Sequence, residues 1–290
     1  MSLVETHRIL HKEALSPDVF MMRVQASLIA AERKPGQFII LSLDAEYGER
    51  IPLTIADADP VEGSITLIFQ RVGRGTRHLA DLNVGDALPV LVGPLGHPTH
   101  IEMLGTVVGV GGGIGAAPLY PILEGLKKAG NRILTILGAR NQSLLFWEEK
   151  FRAISDEVIV TTDDGSYGCK ALVTEPLKEI CSRDPKPNLA VAIGPAIMMK
   201  FCCATTRPFA VPTVVSLNPI MVDGTGMCGG CRVSVGGKMK FACVDGPEFD
   251  GHAVDFDELM KRQQSYKPQE KAAADAHACK LDPAVAEKRT

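Results

Sequence analysis

The chain has 290 residues, a length that predicts about two domains of roughly 100–200 residues each and leaves room for a small third module. It is 46% hydrophobic and 22% charged, which excludes a disordered or fibrous protein. The 31 Lys and Arg residues are nearly balanced by 34 Asp and Glu residues, so the net charge of −3 gives no electrostatic reason to expect nucleic acid or an anionic membrane as a partner. The first residues are polar and charged without a signal-peptide pattern, which predicts a cytoplasmic location.

The first part of the chain, residues 1–100, shows short β-rich runs separated by turn signals. The clearest runs are Phe38–Leu43, Ser64–Phe69 and Leu88–Val92. Short strands at this spacing predict a small antiparallel β-barrel.

From residue 101 to 217, apolar strands alternate with amphipathic helices, the pattern of a doubly wound parallel sheet. The uncharged stretch 104–123 has the length of a membrane span, but it contains six Gly and two Pro and therefore favours a buried strand, a glycine-rich turn and a helix. The predicted strands cover 105–110, 132–137, 157–161 and 189–193, and the predicted helices lie near 115–129, 144–153 and 171–181.

The rest of the chain divides into a cysteine-containing module over 218–262, with a helix near 255–264, and a tail over 263–290. The tail is rich in Ala, Lys and Glu from Lys267 onward. We expect it to be poorly ordered unless a partner holds it.

A hairpin is predicted inside the cysteine module. The strand-like runs Arg232–Val235 and Lys238–Phe241 flank Gly236-Gly237, a two-residue turn of the kind that closes hairpins. Pairing the two runs across this turn places the residue before the first strand opposite the residue after the second.

This register brings three cysteines together. Cys231 lies opposite Ala242, and Cys243 therefore falls beside Cys228. Asp223, five residues before Cys228, is the nearest anionic candidate for a fourth ligand.

Four interpretations of this group remain open from the residues alone. They are a reduced structural cysteine cluster, a structural zinc site, a redox-active thiol pair and an iron–sulfur cluster. A redox-active pair normally opens a helix after a strand, whereas this pair precedes a hairpin. Four ligands in a glycine-rich loop and hairpin favour a [2Fe–2S] cluster.

Three other segments carry patterns of phosphate sites, although a surface turn, a lone surface Arg or a tight turn would also explain them singly. Val72-Gly-Arg-Gly-Thr76 runs into a helical pattern, so that Thr76 can cap a helix whose free N–H groups face an anion. Arg50–Thr54 supplies a guanidinium and a hydroxyl group. Gly109–Gly115 follows a predicted strand and opens a helix, as a dinucleotide site requires.

Taken together, these motifs resemble the ferredoxin–NADP reductase superfamily, and specifically its dihydroorotate dehydrogenase electron-transfer branch, over about residues 1–262. The segments that carry the resemblance are Arg50-x-Pro-x-Thr54, Gly73-x-Gly-Thr76, Gly93–Gly96, the glycines of 109–115, Thr162–Ser166, and Gly194-Pro195 with Met198-Met199. That branch has Cys where this chain has Asp223. An Asp there, with the segments 243–252 and 254–259, is similar to the small subunits of NADH-dependent reduced ferredoxin:NADP oxidoreductases, also known as sulfide dehydrogenase subunits.

The resemblance implies a ferredoxin–NADP reductase-like two-domain flavoprotein, a β-barrel plus an α/β domain, with a C-terminal [2Fe–2S] hairpin module. It implies three cofactor sites. FAD would contact Arg50, Pro52, Leu53, Thr54, Gly73, Gly75 and Thr76, with Thr54 as the catalytic residue near flavin N5. NAD(H) would lie over Gly111, Gly112, Gly113 and Gly115, with Arg140, Asp163, Asp164 and Gly165 around its other half, and the cluster ligands would be Asp223, Cys228, Cys231 and Cys243.

The function implied is electron transfer between NAD(H), FAD and the cluster, within an electron-bifurcating complex whose larger subunit carries a second flavin and further iron–sulfur clusters. Ferredoxin and NADP(H) would be indirect partners. The alternatives are an electron-transfer subunit of another dehydrogenase, hydrogenase or sulfur oxidoreductase, and a zinc-stabilised nucleotide-binding assembly module without redox activity. Arg140 favours NADP(H), and no acid is expected close to the position of the ribose, whereas the resemblance implies NAD(H).

Overall fold

The structure is a computed structural model that describes residues 6–44 and 48–281. Along the chain it forms an antiparallel barrel, a parallel α/β domain, a short module with a hairpin, and a C-terminal helix. Within this part of the chain, no helix is long and apolar enough to cross a membrane.

The barrel comprises β1 (His7–Ser16), β2 (Val19–Gln25), α1 (Ser27–Glu32), β3 (Phe38–Ser42), β4 (Arg50–Asp59), β5 (Ser64–Gln70), α2 (Arg74–Asp81), β6 (Ala87–Leu88) and β7 (Val90–Leu95). Its strands lie in the order β6-β1-β2-β5-β4-β3-β7. The two edge strands are separated in sequence by Pro89 alone, so the sheet nearly closes on itself. Ile39, Leu41 and Phe69 fill its interior and are at most 1% exposed.

The α/β domain comprises β8 (Thr106–Gly112), α3 (Ala116–Lys128), β9 (Arg132–Ala139), α4 (Glu148–Ile154), β10 (Glu157–Thr162), β11 (Cys169–Lys170), α5 (Thr174–Cys181), β12 (Leu189–Ile193), α6 (Ala196–Thr206) and β13 (Thr213–Ser216). These parallel strands lie in the order β11-β10-β9-β8-β12-β13. Because the chain turns to opposite sides after β8 and β12, a crevice opens at their carboxyl ends.

The predicted elements of this domain agree with the observed ones to within a few residues, except for the helix near 144–153. That helix begins only at Glu148, because Trp147 has a left-handed backbone conformation with a φ of 59°. A residue in that conformation cannot continue a right-handed helix.

An apolar interface joins the two domains. Val19, Ala56 and Ile68 of the barrel share one buried cluster with Leu119 of α3. At its edge, Asp57 of the barrel pairs with Arg33 at 3.3 Å and with Lys150 of α4 at 3.9 Å, while the Lys150 ammonium lies 4.2 Å from the centre of the Trp147 ring.

The module after residue 217 packs on both domains. It contains β14 (Arg232–Val235), β15 (Lys238–Phe241), α7 (Ala242–Asp245), β16 (Glu248–Asp250) and α8 (Phe256–Gln263). Strand β16 joins the α/β sheet antiparallel to β13, and a Cβ on Gly224 would lie 2.8 Å from both Ile40 and Leu95 of the barrel.

The described part of the tail is helical. Helix α9 (Lys267–Leu281) continues the chain after α8 and lies against α2 of the barrel. Ala, Lys, Gln and Glu are strong helix formers. The composition of the tail therefore also favours a helix where the chain continues from the packed helix α8. Residues 282–290 lie outside the described residues.

Glu248 at the start of β16 leads to a pH prediction. Its carboxylate accepts a hydrogen bond from Thr99 Oγ1 at 2.5 Å, and burial raises its pKa above the ordinary value of 4.5. Above pH 4.5 the unfolded chain therefore loses this proton before the folded one does, so this group makes folding less favourable as pH rises. We expect Glu248→Gln to raise the free energy of unfolding by roughly 1–3 kcal/mol at pH 8 and to change it little at pH 4.5.

Thermal unfolding at the two pH values measures this effect. The exposed Glu32 provides a matched control, since Glu32→Gln removes the same charge without changing a buried group. An equal increase in the free energy of unfolding of the Glu248→Gln variant at both pH values would show that the effect does not come from ionisation of Glu248.

Candidate functional site

A cavity of about 1080 Å³ lies where the barrel, the α/β domain and the module meet. Its walls come from β3 and β4 of the barrel, from the turns after β8, β9, β10 and β12, and from residues 216–221 before the hairpin. Among the predicted site residues, Pro52, Leu53, Thr54, Gly112, Gly113, Gly115, Arg140 and Asp163 line it.

The barrel wall of the cavity is formed by β4. Pro52, Leu53 and Thr54 pair with β3, and Thr54 lies opposite Phe38. Antiparallel pairing on a nearly closed sheet holds these residues rigidly, which suits the flat face of a ring system.

The other predicted barrel residues lie beside one another at the same end of β4. A Cβ on Gly75 would lie 2.6 Å from Glu49 Oε2 and 2.8 Å from Ile51 Cδ1, so the segment around the exposed Arg50 contacts the first turn of α2. The two weak phosphate patterns therefore converge in space.

The role expected for Thr76 as the residue that caps α2 is wrong. The helix begins at Arg74, and the extended residue Gly73 is its N-cap. Thr76 is the third helical residue, and its Oγ1 accepts hydrogen bonds from the N–H groups of Val72 and Gly73 at 3.1 and 3.0 Å. Its hydroxyl thus stabilises the turn from inside the helix.

The glycine run at the end of β8 is shaped by close packing. A Cβ on Gly115 would lie 2.2 Å from the carbonyl oxygen of Ile193, and one on Gly112 would lie 2.2 Å from Met198 Sδ. Gly113 has a φ of +54° and nothing within 4 Å of an added Cβ. The turn therefore brings α3 close to β12. It also leaves backbone without side chains facing the cavity, which allows a pyrophosphate to approach the backbone N–H groups. Gly111, in β8, lies against Leu119 and Ala116 of α3.

The turn after β10 meets the end of β9. The N–H of Asp163 donates to Ala139 O at 3.0 Å, and the N–H of Asp164 donates to Arg140 O at 3.2 Å. Arg140 and Asp163 both line the cavity. The side chain of Asp164 instead closes its own turn, because Asp164 Oδ1 accepts a hydrogen bond from Ser166 N at 2.9 Å. Gly165 has a φ of +80° and closes this turn. The sequence places no acid directly after Arg140, but the fold brings Asp163 there.

The four predicted cluster ligands form two pairs. The Sγ atoms of Cys231 and Cys243 lie 3.1 Å apart and are buried. The Asp223 carboxylate accepts from the N–H groups of Thr225 at 3.0 Å and Cys228 at 2.8 Å. Burial opposes ionisation of Asp223, but these hydrogen bonds and that of the Cys228 side chain lower its pKa.

The hairpin has the register expected from the sequence. Val235 pairs with Lys238 and Arg232 with Phe241, and the N–H of Ala242 donates to Cys231 O at 3.1 Å. Cys243 lies in α7, directly after the second strand.

The donor set fits a two-iron cluster. In the described residues, no three His, Cys, Asp or Glu side chains are grouped closely enough to hold one metal ion. A [2Fe–2S] cluster takes two ligands on each iron, and two separate pairs meet that requirement. The glycines of the loop also let N–H groups reach sulfur, since Gly230 N donates to Cys228 Sγ at 3.4 Å.

Comparison with known proteins agrees with this geometry. Residues 218–255 match the iron-sulfur cluster binding domain of dihydroorotate dehydrogenase B. A dihydroorotate dehydrogenase B (NAD(+)) electron transfer subunit homolog of Thermotoga maritima is 50% identical over 265 residues, which cover 91% of this chain and 93% of that protein. The chain belongs to this family. The Bacillus caldolyticus electron transfer subunit, 32% identical over 253 residues, covers 84% of this chain and 96% of its own length.

Solved structures extend the likeness to three dimensions. A chain from the structure of an NADH-dependent reduced ferredoxin-NADP oxidoreductase, described for flavin-based electron bifurcation, is 48% identical with a TM-score of 0.88, and the match covers 95% of this chain and 99% of that one. A ferredoxin NADP+ reductase from Neisseria gonorrhoeae with bound FAD and NADP shares the fold alone, at 16% identity and a TM-score of 0.57, over 71% of this chain and 91% of that one. The family resemblance and the predicted fold class, a barrel plus an α/β domain with an iron–sulfur region, are confirmed.

Sequence reasoning missed part of the site of this family member. Phe38, Asn218 and Gln263 line the large cavity. A second cavity of about 300 Å³ lies beside Cys228 and shares Pro219 and Gln263 with the first. No local motif marks these residues, because only the packing of the module on the two domains brings them to the site.

The remaining buried cysteines are packing residues. Cys181, Cys202 and Cys203 lie in the core between α5, α6 and the sheet. Burial raises their pKa values to about 11, 12 and 12 respectively, so their thiols stay protonated at neutral pH. They are unsuited to nucleophilic or metal-binding roles.

Proposed function

We propose that the chain is an electron-transfer flavoprotein subunit that passes electrons between NAD(H), FAD and a [2Fe–2S] cluster within an electron-bifurcating NADH-dependent ferredoxin:NADP oxidoreductase. The observation that carries this proposal is a single cavity that joins the β4 wall to the glycine turn and shares Pro219 and Gln263 with the cavity beside Cys228. Flavin, nicotinamide and cluster would thus occupy neighbouring positions.

The barrel residues would hold FAD. Pro52, Leu53 and Thr54 would lie against the ring system, with the Thr54 hydroxyl near N5, because they form the apolar barrel wall of the cavity. Arg50, with Gly73, Gly75 and Thr76, would hold the pyrophosphate. When bound, FAD supplies the conversion between a two-electron hydride and single electrons.

The α/β residues would hold the nicotinamide dinucleotide. The bare backbone of Gly113, with Gly111, Gly112 and Gly115 around it, would receive the pyrophosphate. The turn with Asp164 and Gly165 would hold Arg140 and Asp163 at the ribose. A carboxylate at the ribose favours NAD(H) because it binds the 2′-hydroxyl and repels a 2′-phosphate.

This assignment gives a selectivity prediction. We expect Asp163→Ala to lower the ratio of kcat/KM for NADH to that for NADPH by about tenfold. The variant loses a hydrogen bond to the ribose of NADH and a repulsion of the 2′-phosphate of NADPH, which together amount to roughly 1.4 kcal/mol. Asp184→Ala is the matched control, because Asp184 is exposed and does not line the cavity. Steady-state diaphorase assays with both nucleotides measure the ratio. An unchanged ratio in Asp163→Ala, or wild-type protein that prefers NADPH, would contradict it.

A larger flavin and iron–sulfur subunit would be the partner in a hetero-oligomer. Exposed apolar side chains surround the cluster loop, with Val222 at 49%, Met227 at 89% and Val244 at 39% exposed. Apolar groups in this setting are typical of a protein interface. Docking there would bring the partner's redox groups near the cluster and connect this chain, through the partner, to ferredoxin and NADP(H).

Anaerobic purification from the native host tests the function. The expected preparation is brown-yellow, contains FAD and two irons per chain, shows a [2Fe–2S] electron paramagnetic resonance signal after reduction by NADH, and contains the larger subunit. A colourless protein with zinc alone would overturn the proposal in favour of an assembly module. A different copurifying dehydrogenase, hydrogenase or sulfur oxidoreductase would overturn the identity of the complex.

A further inference from the structure

Helix α8 packs directly behind the cluster loop. Asp255 caps its first turn by accepting from Glu258 N at 2.9 Å, and Asp255 N donates to Ser234 O of the hairpin at 2.9 Å. Phe256 and Leu259 are buried in the same core as the side chains of Cys231 and Cys243. The helix is therefore held rigidly relative to the cluster ligands.

The last turn of α8 reaches both cavities. Arg262 Nη2 donates to Gly230 O at 3.1 Å, within the loop between Cys228 and Cys231. The next residue, Gln263, donates from Nε2 to Asn218 O at 2.9 Å, and Asn218 lines the large cavity.

Two guanidinium groups thus flank the cluster loop. Arg262 lines the smaller cavity with Cys228, and Arg232 Nη1 lies 3.5 Å from the position of a Cβ on Gly229. A cluster with three thiolate ligands and a carboxylate carries net negative charge, which grows by one unit on reduction. A nearby fixed positive charge stabilises the reduced form more than the oxidised form.

We propose that Arg262 is a positioning residue for the cluster: it holds the loop between Cys228 and Cys231 against α8, and its charge raises the reduction potential. This inference rests on the proposed function, because it requires a [2Fe–2S] cluster at this loop. Arg262 contacts a ligand-loop carbonyl and acts through that loop.

The decisive measurement is the midpoint potential of the cluster, taken by electron paramagnetic resonance titration of the anaerobic complex. We expect Arg262→Gln to make one-electron reduction about tenfold less favourable, a shift of about 59 mV to more negative potential. Arg262→Lys keeps the charge and a donor and should remain near the wild-type midpoint. Lys261→Gln removes the same charge from the neighbouring exposed position and should leave the midpoint unchanged.

An Arg262→Gln midpoint equal to that of Lys261→Gln would overturn the inference. If Arg262→Gln loses its iron, the Arg262→Lys variant decides the question. Iron content and a midpoint potential like those of the wild type would support the inference. Loss of iron in Arg262→Lys as well would overturn the inference that the charge of Arg262 raises the potential. Absence of a [2Fe–2S] signal from the wild-type protein would instead overturn the proposed function itself.

Discussion

Asp223→Ala is expected to lose most of its cluster, with iron content falling severalfold. The three remaining thiolates leave one iron with a coordination position open to water. The change also removes the acceptors for the N–H groups of Thr225 and Cys228, which lie within the ligand loop. These N–H groups are exposed and can bond to water instead, so losing the two hydrogen bonds costs only about 0.5–1.5 kcal/mol each, and lost cluster binding adds to that.

Two further substitutions separate the ligand role of Asp223 from its loop role. Asp223→Asn keeps an acceptor oxygen for the loop but removes the anionic ligand, so we expect near-normal folding with a depleted cluster. Asp223→Cys should keep a [2Fe–2S] signal and shift its midpoint to a more negative value, because a thiolate donates more electron density to iron than a carboxylate does.

Iron analysis and electron paramagnetic resonance titration of the three variants measure these effects. Full iron content in Asp223→Ala would remove this residue from the ligand set. An unchanged or more positive midpoint in Asp223→Cys would show that the carboxylate does not set the potential.

Gly115→Ala is expected to have the second large effect. The new Cβ would lie 2.2 Å from the backbone oxygen of Ile193, so the start of α3 has to move away from β12. Such overpacking costs about 1–3 kcal/mol. Because the same turn forms the bare backbone at the cavity, we also expect the KM for NADH to rise.

Gly113→Ala provides the contrast within the same turn. Its Cβ would meet nothing within 4 Å, but its φ of +54° costs about 1–2 kcal/mol for a residue with a side chain. We expect this variant to lose affinity for NADH because the methyl group stands where the pyrophosphate would lie. Denaturant unfolding and NADH kinetics compare the two variants, and wild-type stability in Gly115→Ala would contradict the packing argument.

Much of this protein follows from local sequence. Short β-rich runs between turn signals predict the barrel strands, and apolar runs such as 105–110 that alternate with amphipathic helices predict the parallel ones. The hairpin register could be derived because Gly236-Gly237 permits one tight turn, and this register returns Cys243 to the loop that carries Cys228 and Cys231. These are consequences of short-range geometry.

Only the tertiary structure decided the contacts between distant segments. Asp163 reaches the end of β9 because parallel strands align their carboxyl ends. In the sequence 22 residues lie between it and Arg140, but in the fold the N–H of Asp163 donates to the carbonyl oxygen of Ala139, next to Arg140. Arg262 meets Gly230 because α8 buries Phe256 and Leu259 in the core that holds Cys231 and Cys243. The capping of α2 by Gly73 likewise depended on the conformation of the turn before the helix. Local patterns determined which groups this chain carries, whereas the packing of the module on two domains determined which of them face one another.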